Sequence, residues 1–258
     1  MLVDVAAFVG AYPYRHLRHA TPEWLIAQMD RLGIDRAWVG DAGAFLLRDP
    51  AEANATLYAR VAASERLAPV PTVALAQAGW ERDMDAAVAR GAPAVRVYPQ
   101  YEGLTAMSPE VAAGVAAAAT RRLPLIVTVR FEDPRQRHRL DTVGEPDGAL
   151  LRAMVRADAQ ARILVSHAPR ELVEEVHFGL TPEEARRVVW DVAWVWGPPE
   201  DHLALLWETV GEERFVLGTG MPLRVPDATL AKLELLAPGW AAVRARLSAN
   251  LQRWLGAR

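Results

Sequence analysis

Short apolar runs alternate along this chain with segments of helical period. Runs at residues 3–8, 36–39, 68–74, 94–98, 125–129, 162–165, 188–192 and 215–217 have the length of buried strands. Helix start signals stand between them. Thr21-Pro22-Glu23-Trp24 pairs an N-cap residue with proline at the first helical position. Leu25, Met29 and Leu32 then mark one apolar face, and Gly33 ends it. Ser108-Pro109-Glu110 and Thr181-Pro182-Glu183-Glu184 repeat the start signal, and residues 111–121 read as an Ala-rich helix. No linker, low-complexity run or block of like charge divides the chain. Eight strands alternating with helices predict a (β/α)8 TIM barrel, one domain over residues 1–258. An open doubly wound sheet would want a Gly-rich phosphate turn after an early strand. The nearest match, Gly218-Thr219-Gly220-Met221-Pro222-Leu223, follows the eighth strand and lacks the third glycine.

Composition narrows the function classes. The 258 residues are 52% hydrophobic and carry a net charge of −3, so no global field draws in nucleic acid or a membrane surface. Cysteine is absent, which excludes disulfides, zinc–thiolate sites and a thiol nucleophile. No apolar run reaches the roughly 18 residues that span a bilayer. The first residues lack the pattern of a signal peptide, so a cytoplasmic protein is expected. Lys232 is the only lysine, and Asn54 and Asn250 are the only asparagines. With abundant alanine, this usage fits a GC-rich bacterial genome.

The densest chemistry follows the fifth strand, in Arg130-Phe131-Glu132-Asp133-Pro134-Arg135-Gln136-Arg137-His138. α/β enzymes present their chemistry at the carboxyl ends of strands. Arg130 extends the Ile126/Thr128 face, so it is expected at the barrel mouth, gripping a carboxylate or phosphate or pairing with a neighbouring strand. Glu132 and Asp133 are expected to order the loop by pairing with Arg135, Arg137 or Arg130. His138 is a candidate proton carrier. His167 ends the sixth strand, where it could polarise a carbonyl or move a proton. Asp191 ends the seventh strand and faces away from Trp190, Val192 and Trp194. It reads as a general base, as the partner that orients His167, or as half of an ion pair with Arg96 or Arg130. The tryptophans read as helix-facing core, with Trp196, past the strand end, open to either role. Arg96 and Tyr98 share one face of the fourth strand. Arg15 lies in the first loop with Tyr12, Tyr14, His16 and His19, where spacing alone is weak evidence for a metal.

The order of these motifs resembles the amidohydrolase superfamily, in its amidohydrolase-related branch of small-aromatic-acid decarboxylases and lactonases. Asp4-Val5-Ala6-Ala7-Phe8 sits where that family has Asp-x-His-x-His. The passage from Met29 to Ala37 resembles its step from helix one to strand two. Val165-Ser166-His167 resembles the strand-six histidine, and Phe215 to Pro222 the strand-eight Gly-Ser-Asp-x-Pro turn. Ala249 to Leu255 resembles its last helix. Both strand-one histidines are absent, at Ala6 and Phe8, and the strand-eight aspartate is replaced at Gly220. The resemblance therefore implies a barrel without the usual metal set. It also implies a homo-oligomer, as barrels of this branch often are, although no decisive exposed stripe marks an interface.

Three expectations follow. The first is a metal-independent, cofactor-free hydrolase-like enzyme acting on a small carboxylated lactone, ester or amide. Arg130, with Arg96, Tyr98, Arg135 and Arg15, would hold this anionic substrate. Asp191 would be the base, His167 the polarising group and His138 a further proton carrier. The second is a non-catalytic barrel that binds an anionic small molecule. The third is a metal-dependent hydrolase or decarboxylase with a site rebuilt from His167, Asp191 and His16 or His138.

Overall fold

Eight parallel strands run in chain order: β1 (Val3–Val9), β2 (Arg36–Asp41), β3 (Leu67–Pro69), β4 (Val95–Val97), β5 (Leu125–Thr128), β6 (Ile163–Ser166), β7 (Val188–Asp191) and β8 (Phe215–Val216). The computed structural model describes residues 1–195, 202–236 and 240–256, so Trp196 lies outside the described residues. The helices are α1 (Pro22–Leu32), α2 (Ala51–Val61), α3 (Trp80–Ala89), α4 (Pro109–Thr120), α5 (Gly148–Ala157), α6 (Arg170–Phe178), α7 (Pro182–Ala185), α8 (His202–Leu206), α9 (Pro226–Glu234) and α10 (Trp240–Gly256). None is long and apolar enough to cross a membrane, among the described residues.

Strands β1 to β3 pair in one ladder and β4 to β8 in another. Backbone hydrogen bonds close both seams. Val5 N–H donates to Leu217 O and Phe8 N–H to Met221 O, both at 2.9 Å, which joins β1 to the end of β8. Arg96 N–H donates to Pro71 O and Val73 N–H to Arg96 O, again at 2.9 Å, which joins β4 to the segment after β3. The chain is a closed (β/α)8 barrel, as the alternation predicts.

The third strand is shorter than the apolar run at 68–74 predicts. Pro69 and Pro71 have no N–H for a ladder. Asn54 of α2 takes over the pairing: its side-chain amide donates to Thr72 O and accepts from Thr72 N–H, each at 2.8 Å. Asn250 of α10 performs a similar clamp, donating to Glu212 O and Phe215 O. Both asparagines of the chain are thus buried backbone clamps.

The helix signals hold where capping chemistry is complete. Thr21 accepts from Trp24 N–H, and Gly33 closes α1 with φ +66°. Thr181 and Glu184 form a capping box on α7. Ser108 makes no cap bond to α4; its hydroxyl accepts from Thr105 N–H instead.

Inside the barrel the side chains form three levels. At the strand starts, Val5, Trp38, Val70, Ile126, Leu164, Val189 and Val216 make an apolar layer, closed below by Leu251 and Trp254 of α10. Around the strand ends, Phe8, Tyr12, Phe45, Tyr98, Phe131 and Leu223 make an aromatic layer. Between them lies a buried polar belt of Asp4, Arg96, Thr128, Ser166, Asp191 and Thr219. A β-bulge between Asp4 and Ala7 lets β1 serve two levels. Val3 and Val5 face inward before it and Phe8 after it, while Ala7 and Val9 join the helix-facing core.

Candidate active site

Asp191 is fully buried, and its carboxylate is the centre of the belt. It accepts from the Ser166 hydroxyl, from His167 N–H at 3.1 Å and from Ala193 N–H at 3.0 Å. Neither Arg96 nor Arg130 forms an ion pair with it, so of the three roles left open by the sequence that one is not taken up. It holds the backbone of His167 rather than the ring. The carboxylate lies against Gly218, where an added Cβ would stand 2.6 Å from Asp191 Cβ. Two strands away, on β1, Asp4 accepts from Thr219 N–H and Ala6 N–H, each at 3.0 Å, and from the Thr219 hydroxyl. Burial pushes its carboxyl up to about 6 against those hydrogen bonds, which pull it down.

Arg96 is fully buried without a carboxylate partner. It donates to the Thr128 hydroxyl and to Val5 O, and it packs over Phe8, 4.8 Å from the ring centroid. Burial lowers its pKa. Tyr98 above it is equally buried, and burial raises its pKa while the nearby Thr128 and Thr72 hydroxyls act against that shift. These two residues therefore line the barrel core beneath the mouth.

His167 follows β6 with φ +61°, a backbone state that costs a β-carbon residue energy. Asp191 sustains this turn by binding its N–H. The imidazole is 1% exposed, and neither ring nitrogen makes a well-formed hydrogen bond. Phe8 stacks on one side at 6.0 Å between centroids, and Trp194 meets it edge-on at 6.3 Å. Burial pushes its pKa down to about 4. The Asp191 charge and the nearby Arg130 backbone oppose that shift; Arg224 and Arg96 add to it. The ring is neutral at physiological pH, so it offers one N–H donor and one acceptor.

Trp194 lies at the mouth, where the residue alternation would have put it in the helix-facing core. Its strand ends at Asp191, so the period of two no longer applies. Two guanidinium groups pack on its indole, Arg224 at 4.0 Å and Arg130 at 5.3 Å from the centroid. Below, Lys232 of α9 donates to Ala193 O and Val195 O, and burial pushes its pKa down to about 7. Arg130 is at the mouth, as its strand face predicts, and is bonded to Glu145.

The remaining loop candidates are drawn away from this cluster. Arg135 is exposed and bonded twice to Asp133. Glu132 pairs with Arg15 of the first loop at 2.6 Å, not with a loop arginine. Arg15 also donates to Leu223 O. His138 stacks on Tyr14 at 5.4 Å and accepts from Leu140 N–H, so its ring is part of the loop's packing. His16 is exposed. Among the described residues no three His, Asp or Glu side chains converge on a metal position, so the rebuilt set of His167, Asp191 and His16 or His138 is not assembled. Arg224, Trp194, Lys232 and Asp4 escape the residue pattern. Only the glycines before Arg224 hint at a site there.

No family model matches the chain, and no curated protein matches it in sequence. Solved structures do. A 2,6-dihydroxybenzoate decarboxylase from Rhizobium is 15% identical over 99% of both chains, with a TM-score of 0.71. A dihydroxybenzoic acid decarboxylase from Polaromonas, with bound manganese and 2-nitroresorcinol, is 12% identical over 98% of this chain and 96% of its own, with a TM-score of 0.73. A probable 2-pyrone-4,6-dicarboxylic acid hydrolase from Acinetobacter baumannii, with citric acid bound, is 11% identical over 99% of both, with a TM-score of 0.66. This chain has their fold. Among the described residues, the positions that the resemblance in sequence assigns to a metal do not supply its ligands. Ala6, Phe8 and Gly220 offer no donor atom. The Phe8 ring fills the space beside His167, and a Cβ at Gly220 would stand 2.7 Å from His167 Nε2. Asp191 already serves three donors. One imidazole is too few ligands for a stable site.

Proposed function

We propose that this protein is a metal-independent, hydrolase-like enzyme acting on a small carboxylated lactone, ester or amide. The observation that carries the reading is the His167 ring: buried, held in a strained turn, neutral, and with no well-formed hydrogen bond at either nitrogen. A buried polar group so placed calls for a partner. A neutral imidazole can donate its N–H to a carbonyl oxygen and stabilise the charge that develops there. Arg224, whose guanidinium packs on Trp194 without an ion pair among the described residues, makes the same end of the barrel cationic, which suits a carboxylated substrate. Asp191 is a positioning residue in this scheme, because its lone pairs already serve Ser166, His167 and Ala193.

The test is turnover across a panel of small carboxylated esters, lactones and amides, with metal content measured on protein purified without chelators. Asparagine tolerates the backbone state of residue 167, so His167→Asn should fold. It should lose about 100- to 1,000-fold in kcat. Unchanged turnover in that variant, or one transition metal per chain, would sink the reading. A second reading, a non-catalytic barrel binding an anionic molecule, is favoured by the three donors on Asp191, which leave it poorly placed as a base. Ligand-induced thermal stabilisation with no turnover across the panel would select it.

A further inference from the structure

Between the loop after β1 and the loop after β8 lies a pocket of about 400 Å³. Arg15, His16, Arg18 and His19 line one side with Trp24 of α1, and Arg224 lines the other. The acid at its edge, Asp227, is bonded through both oxygens to Arg31. Arg15 is bonded to Glu132. Arg224 differs from these. Its guanidinium is half-buried against the Trp194 face and makes no hydrogen bond or ion pair among the described residues. A guanidinium drawn out of water is costly until a carboxylate or phosphate meets its planar fork.

The Arg224 side chain also borders the polarising group. A Cβ added at Gly220 would stand 3.0 Å from Arg224 Cδ and 2.7 Å from His167 Nε2. The absent side chain at Gly220 thus leaves the stem of Arg224 beside the imidazole. We infer that this pocket binds the oxyanion of the substrate, a carboxylate or a phosphate, with Arg224 as the gripping residue and specificity determinant. Arg130, neutralised by Glu145, then supports Trp194 instead of holding the ligand. The oxyanion sits outside the aromatic layer, with the reacting end of the substrate directed toward the barrel mouth and His167. This orientation rests on the proposed role of His167; oxyanion binding itself does not.

Calorimetric titration of the full chain with inorganic phosphate, and separately with benzoate, tests the inference without turnover. At least one should bind with unit stoichiometry. Arg224→Gln should weaken that binding about tenfold or more. Arg121→Gln, a surface residue paired with Asp85, should not change it. Tighter phosphate binding would assign a phosphorylated substrate, and tighter benzoate binding a carboxylated one; each supports the pocket. Binding that survives Arg224→Gln, or no binding of either anion, would overturn it. If that variant does not fold, Arg224→Lys and Arg18→Gln carry the test, and unchanged affinity in both is fatal to the idea. His167→Asn should keep the binding, so loss of turnover and loss of binding report on separate claims.

Discussion

His167 pairs a strained backbone with a buried ring, and both have consequences for stability. Its pKa is about 4 in the folded chain against 6.5 for a free imidazole. As pH falls from 6.5 to about 4, the unfolded chain takes up a proton that the folded chain refuses. Stability from this residue therefore falls across that window and levels off below it. Asp4 acts in the opposite direction. Its folded-state carboxyl titrates at about 6 against 3.8, so its contribution grows as pH falls between those values. The two partly cancel, which would hide both in the whole protein. His167→Asn exposes the effect: between pH 7 and 4.5 the variant should gain about 2–3 kcal/mol relative to the parent. Urea denaturation at the two pH values measures this. Parallel losses in both proteins would show that the ring is not held neutral.

At the scale of the element, the loop after β5 is a scaffold with one end in the barrel. Phe131 turns inward and packs on Phe45 at 4.5 Å between centroids. Arg130 and Arg137 then converge on Glu145. Arg137 reaches Asp141 and Val143 O as well, and Tyr101 donates to Asp141 at 3.2 Å. Glu145 is thus the counter-charge of two arginines that burial has partly stripped of water. Glu145→Ala should cost about 2 kcal/mol, seen as a fall of roughly 4–8 °C in Tm. No change in Tm would mean that water screens the pair fully. Arg130 and Arg137 belong to this lattice, while Arg135 ends on the outside with Asp133.

Across the whole molecule, the barrel interior is apolar below, polar in the middle and aromatic above. Phe8 links the upper two levels. It meets Phe131 at 5.5 Å, His167 at 6.0 Å and the Arg96 guanidinium at 4.8 Å. It is fully buried and reaches this position through the bulge in β1. Phe8→Ala should open a cavity at the strand ends and cost about 3–5 kcal/mol, read by denaturant unfolding. A cost below about 1 kcal/mol would mean that the aromatic layer collapses freely into the gap.

The alternation of strand and helix determined the barrel without help from the tertiary structure, because period two and period 3.6 leave separate marks on apolar spacing. It also put Arg130, His167 and Asp191 at strand ends, since side-chain direction follows from that same period, but Arg96 is expected to hold substrate where the structure buries it in the core. That Ala6, Phe8 and Gly220 stand where a metal-binding barrel would carry donors was implied only by the family resemblance, not by periodicity. Apart from the short-range pair of Asp133 with Arg135, partners were not legible. Tertiary structure decided that Asp191 holds a backbone N–H instead of pairing with an arginine, and that Glu132 binds Arg15 from a loop more than a hundred residues away. It moved Trp194 to the mouth and left Arg224, among the described residues, near Asp191 and Asp133 but in no ion pair. Strand geometry sets where a side chain points, but hydrogen bonds and charge pairing depend on which loops meet after the barrel closes. The site belongs to that second class of fact.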